Sequence, residues 1–60
     1  MVLTKLEQII NERNIGIEEL EKKSGVSKRT LYSVLKQRGT TRNNAIKIAK
    51  GLNLTVGELI

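Results

Sequence analysis

The sequence predicts an all-α fold in which five short helices form one domain over residues 1–60. Leucine and isoleucine dominate the apolar residues, aromatic residues reduce to one tyrosine, and proline is absent. Such a composition favours packed helices over a β-sandwich. Ser, Thr, Asn and Gly residues stand where the periodic apolar segments begin and end, as helix caps do. At 60 residues, the chain has enough apolar surface for one thin core and no second domain.

The first two helices are predicted in the amino-terminal half. Thr4 and Glu7 have the spacing of a capping box, in which each side chain bonds a free amide at the helix start. The apolar stripe of this helix consists of Leu6, Ile9 and Ile10, and residues 14–16 break it. A second helix begins near Ile17 and stops at Ser24-Gly25, because glycine accepts the left-handed backbone of a tight turn.

Three further helices follow. Ser27 is a good N-cap for a third helix that runs to about Gln37. Thr41 can cap a fourth, whose inward residues are Ala45, Ile48, Ala49 and Leu52 and which Asn53 ends. Thr55 and Glu58 form a second capping box, flanked by Leu54 and Leu59 as a hydrophobic staple. Because Leu59 and Ile60 follow so closely, we expect a longer natural chain or a partner over these side chains.

The segment from Ile17 to Lys36 has the pattern of a helix-turn-helix. Two short helices are separated by a tight turn that holds Gly25 and the apolar Val26. On the third helix, successive residues are 100° apart, which groups Leu31, Val34 and Leu35 on one side. The opposite side holds Arg29, Ser33 and Lys36, with Lys28 and Tyr32 on the flank. Such cations and hydroxyls suit the DNA major groove.

The charge distribution supports a polyanionic partner. Residues 1–26 hold four cations against five glutamates, a net of −1, whereas residues 27–53 hold seven cations and no acid, a net of +7. With Glu58 the chain reaches +5. A basic half of this kind indicates a side that neutralises phosphates.

Other function classes find little support. Histidine and cysteine are both absent, which excludes disulfides and the common zinc sites, so we expect no metal and no cofactor. The chain also lacks a glycine-rich phosphate loop and a pair of acids suited to catalysis, and we expect no enzyme. No apolar run exceeds three residues, too short for a membrane span or a signal peptide. A cysteine-free chain suits the reducing cytoplasm.

The motifs of this segment resemble the helix-turn-helix family of bacterial and phage repressors, of the Cro-like or xenobiotic-response-element (XRE) type. They are Leu20, Ser24-Gly25-Val26-Ser27 and Thr30-Leu31, continued by Ile46 to Lys50, Leu52 to Leu54 and Glu58-Leu59. The resemblance implies a compact five-helix bundle, the lambda-repressor-like fold. It assigns base contacts to Ser27, Lys28, Arg29, Tyr32 and Ser33. It assigns phosphate contacts to Lys36, Arg38, Thr40, Thr41 and Arg42.

The function implied by the resemblance is sequence-specific binding of double-stranded DNA. We expect a transcriptional repressor or regulator that acts as a homodimer on a pseudo-palindromic operator. Two departures, together with Glu18, support an alternative, in which the same fold binds a partner protein, as in an antirepressor or an antitoxin-like regulator. Ile17 stands where the family often has a phosphate-contacting Gln, and Glu21 stands where a small residue is usual. An unpaired carboxylate at a close helix crossing is costly, so we expect Glu21→Ala to raise stability by about 1 kcal/mol.

Overall fold

The computed structural model describes residues 1–60, and its regular elements are all helical. In chain order they are α1 (Leu6–Glu12), α2 (Ile17–Ser24), α3 (Lys28–Leu35), α4 (Arg42–Gly51) and α5 (Val56–Leu59). The predicted all-α class and the five-helix order are confirmed. The longest helix, α4, has 10 residues, and none of the five combines the length and apolarity that a membrane span requires.

Three of the four predicted N-caps are confirmed. The hydroxyl of Ser27 accepts from the amide three residues later in α3 at 3.4 Å, and Thr41 does the same in α4 at 3.2 Å. The amide of Thr55 donates to the carboxylate of Glu58 at 3.0 Å, which forms the predicted capping box. These bonds satisfy donors that a helix start leaves free.

The predicted capping box at Thr4 is wrong. Lys5 is the N-cap of α1, with helical backbone angles and no side-chain bond. Its amide donates instead to the carbonyl of Leu59 at 2.9 Å, and the hydroxyl of Thr4 donates to the carbonyl of Ile60. Contacts with the end of the chain thus replace the local cap. Leu59 is fully buried in the chain's own core, so only Ile60 of the last two residues is exposed.

Three helices end in the same left-handed turn, at Asn14, Gln37 and Asn53. After α3, the amide of Gln37 donates to the carbonyl of Val34 at 3.0 Å, and the next amide donates to Ser33 at 3.3 Å. This pair of bonds is a Schellman motif, which satisfies carbonyls at a helix end. Asparagine was expected at such positions, but glutamine was not. The third helix therefore ends at Leu35, two residues before its predicted end.

The core is built from side chains of all five helices and of the segments between them. Its 12 buried apolar residues are Leu3, Leu6, Ile10, Leu20, Val26, Leu31, Val34, Ala45, Ile48, Ala49, Leu52 and Leu59. All except Leu3 and Leu59 were predicted to face inward, and for Leu59 a longer chain or a partner was expected instead. Leu3 lies before α1, where no periodicity marks it. Ile9, Leu35 and Leu54 pack against this core but are only partly buried.

The helices α2 and α4 approach each other closely at Gly51. A methyl group on Gly51 would lie 2.9 Å from the carbonyl carbon and oxygen of Lys23 and 3.0 Å from the amide nitrogen of Ser24. Only glycine allows the two backbones to meet at this distance. Ser24 secures the same end of α2, because its buried hydroxyl donates to the carbonyl of Leu20 at 2.7 Å and accepts from the amide of Val26 at 3.1 Å.

Gly51→Ala is expected to destabilise the protein, although alanine is the better helix former. The added methyl group forces α2 away from α4, which outweighs the gain in helix propensity by about 1–2 kcal/mol. Thermal melts should show a midpoint lower by roughly 5–10 °C. Gly57→Ala in α5 is the matched control, because the nearest atom to its methyl group is Thr55 Oγ1 at 3.9 Å. Equal melting temperatures for the two variants would contradict the close approach.

Candidate nucleic-acid interface

The chain between α2 and α3 forms the predicted helix-turn-helix. Gly25 ends α2 in the left-handed region, with φ of 74°, and its amide donates to the carbonyl of Glu21 at 2.9 Å. Val26 is buried beneath the turn, and Ser27 then caps α3. Gly25 thus turns the chain, Val26 fills the crossing of the two helices, and Ser27 starts the next helix.

One side of α3 faces the core and the other lies open. Leu31 and Val34 are almost completely buried, whereas Tyr32 is 49% exposed. The open side borders a groove of about 720 Å³, lined by Lys28, Arg29, Tyr32, Ser33, Lys36 and Arg38. The two faces of α3 are therefore those that the helical periodicity predicted.

Most cations of this groove have no ionic partner within the chain. The two ion pairs of the protein are Lys23–Glu19 and Lys28–Glu18, so Arg29, Lys36 and Arg38 are unpaired. All three are exposed. Because no carboxylate holds them, their charge is available to an external anion.

Lys28 differs from the other cations of the groove. Its ammonium lies 3.4 Å from the carboxylate of Glu18, and the two side chains are 41% and 79% exposed. An exposed pair of this kind is worth less than about 1 kcal/mol. An external anion can therefore replace Glu18 at small cost.

Four of the ten predicted contact residues, Ser27, Thr40, Thr41 and Arg42, do not line the groove. Ser27 already donates its hydroxyl to Thr30 at 3.0 Å. The amide of Thr40 donates to the carbonyl of Met1 at 2.7 Å, while the hydroxyl of Thr41 caps α4. Arg42 begins α4 with an exposed side chain. The cations of the loop and of α4 therefore remain free, whereas several polar groups near them have partners within the chain.

The structure gives the carboxylate of Glu21 a partner, which removes the reason to expect a more stable Glu21→Ala variant. This half-buried carboxylate accepts a hydrogen bond of 2.7 Å from the backbone amide of Lys28, the first residue of α3. That amide is one of the donors that a helix start leaves free, and the positive end of the helix dipole favours a carboxylate beside it. Glu21 therefore has a hydrogen-bond partner and is not an unpaired carboxylate at a close helix crossing. The close crossing of α2 lies instead at Gly51 of α4.

Comparison with known families gives a match over residues 5–60 to the Cro/C1-type HTH DNA-binding domain. The chain belongs to this family. The match confirms the resemblance to Cro-like helix-turn-helix proteins and covers every helix described above. The protein is thus a DNA-binding domain of the helix-turn-helix type. Comparison with curated proteins and with solved structures gave no match.

Glu21→Ala is now expected to lower stability, by about 1–2 kcal/mol, because it leaves the amide of Lys28 without its charged acceptor. Glu19→Ala is the matched control, since it removes the same charge from the same helix. Glu19 loses only an exposed pair with Lys23 at 3.8 Å, worth under about 0.5 kcal/mol. Chemical denaturation of both variants measures the difference. A Glu21→Ala variant more stable than the wild type would restore the interpretation made from the sequence.

Proposed function

We propose that the protein is a cytoplasmic transcriptional repressor of bacterial or phage type, which reads double-stranded DNA by placing α3 in the major groove. Its mechanism is binding and the exclusion of other proteins from the site, with no chemical step. The observation that carries this proposal is the open face of α3, where unpaired cations and hydroxyls line one groove without an acid. A major groove about 12 Å wide admits such a helix.

The base contacts are proposed at the start and middle of α3. Arg29 is exposed and unpaired, and its guanidinium can donate two bonds to one guanine. Ser33 and the half-exposed Tyr32 follow on the same face. Lys28 joins them once it leaves Glu18. Ser27 is the weakest member of the set, since its hydroxyl already caps the helix.

The phosphate contacts are proposed beyond the end of α3. Lys36 and Arg38 border the groove, and Arg42 lies exposed at the first turn of α4. The start of a helix also favours a bound anion through its free amides and its dipole. The side chains of Thr40 and Thr41 complete the proposed set. These groups position the protein on DNA without reading its sequence.

A homodimer is part of the proposal because α3 is short. Its eight residues extend about 12 Å, which limits one copy to a few base pairs. Useful specificity then requires two copies on half-sites about 34 Å apart, one helical turn of DNA. A pseudo-palindromic operator matches that symmetry.

Selection of bound duplexes from a random DNA pool tests this function. The proposal expects enrichment of an inverted repeat whose half-sites are one helical turn apart. Enrichment of single half-sites would overturn the dimer and keep the sequence readout. No enrichment, together with a weak and sequence-independent affinity, would favour the alternative use of the fold for a partner protein. The exposed carboxylate of Glu18 beside α3 is the feature that supports this alternative.

Replacement of Lys36, Arg38 or Arg42 by Ala is expected to weaken binding to all sequences alike. Each loss should reduce the slope of log affinity against log salt by about one unit, because one fewer counterion is released. Lys50→Ala is the control, since Lys50 is exposed in the last turn of α4, eight residues from Arg42. A changed base preference with an unchanged salt slope would exclude a phosphate contact for the residue concerned.

Arg29→Ala is expected to cost about 1–3 kcal/mol of binding free energy on the selected site and to relax preference at one base pair of each half-site. The reason is the loss of a two-bond contact to one base. Titrations with the selected duplex and with a random duplex measure this difference. An equal loss on both duplexes would make Arg29 a phosphate contact instead.

A further inference from the structure

The start of α3 is tied to α2 by a polar contact that is partly buried. The carboxylate of Glu21 accepts from the amide of Lys28 at 2.7 Å, across seven residues of chain, and this bond is partly buried. The second polar contact between the two helices, the ion pair of Lys28 with Glu18, is exposed. The bond to Glu21 is therefore the more rigid of the two.

The two caps of α3 do different things. Ser27 bonds to Thr30 within its own helix turn, so this cap moves with α3 whatever direction the helix takes. Glu21 lies in the last turn of α2, the turn that meets the backbone of α4 at Gly51. The bond to Glu21 therefore fixes the start of α3 relative to the rest of the fold.

We propose that Glu21 is a positioning residue for base readout, which acts through the backbone of Lys28 to fix the direction in which α3 meets DNA. The inference rests on the proposed function, since it requires that α3 reads bases. Lys28 and Arg29 are the first two residues of α3, so a shift of the helix start redirects both side chains. Directional hydrogen bonds to a base edge tolerate displacements of only about 0.5 Å or 10–20°.

Two conservative variants separate the effect of the side-chain length of Glu21 from the effect of its charge. Glu21→Gln keeps an oxygen at the same distance along the side chain and removes the charge. Glu21→Asp keeps the charge but is one methylene shorter, so its carboxylate falls short of the amide. The measured quantity is the ratio of affinities for the selected duplex and for a random duplex of equal length.

The proposal expects Glu21→Asp to lower this ratio about tenfold, comparable to one misdirected base contact, and Glu21→Gln to leave it within about twofold. Both affinities of Glu21→Gln rise together, because a negative charge near DNA is lost. Glu19→Gln is the charge control, since Glu19 pairs with Lys23 on α2 and has no bond to α3. Circular dichroism at the titration temperature establishes that each variant is folded.

Several outcomes overturn the inference. A loss of discrimination in Glu21→Gln but not in Glu21→Asp would assign the effect to charge, and an unchanged ratio in both variants would leave Glu21 a merely structural role. Amide hydrogen exchange of the wild type needs no substitution. The Lys28 amide should exchange at least about tenfold more slowly than the Arg42 amide, the first of α4. Equal exchange rates would show that the bond between Glu21 and the Lys28 amide does not form in solution. A wild type that selects no sequence would instead refute the proposed function.

Discussion

The contact between Gly51 and the backbone of Lys23 and Ser24 is the constraint on which the rest of the fold depends. It brings α4 against the last turn of α2 at a distance that no side chain allows. The left-handed Gly25 follows immediately, and the buried Val26 then sets the path into α3. The path of the chain into α3 thus begins next to the place where α2 and α4 meet.

Features that depend on neighbouring residues could be predicted from the sequence. The caps at Ser27 and Thr41 bond to amides three residues later, and the box at Thr55 closes over the same distance. Gly25 and Val26 occupy a turn so short that few other backbone conformations are possible. The two faces of α3 follow from helical periodicity alone. Each of these signals lies within one helical turn of the residue that it governs.

Features that depend on distant parts of the chain were missed. The box at Thr4 has the right residues, but the end of the chain competes for its groups. Glu21 was judged by the cost of an unpaired carboxylate at a close helix crossing, whereas its bond depends on an amide that only the tertiary structure brings near. Gly51 gave no signal because a glycine in a helix does not reveal what packs against it. For the candidate site, the sequence identified the six residues that line the groove, but not the hydrogen bond between Glu21 and the amide of Lys28 at the start of α3.

The side chains that stabilise the start of α3 differ from those that face the groove, and this separation has a consequence for the evolution of binding preference. The hydrogen bonds and the ion pair at its start involve Ser27, Lys28 and Thr30. The side chains of Arg29, Tyr32 and Ser33 make no hydrogen bond or ion pair within the chain. Arg29 and Tyr32 are exposed and Ser33 is partly buried, and replacing any of them breaks no polar side-chain contact within the chain. The change in stability is therefore expected to be small. Under the proposed function, binding preference can therefore change by drift at a few surface positions, without compensating changes in the core.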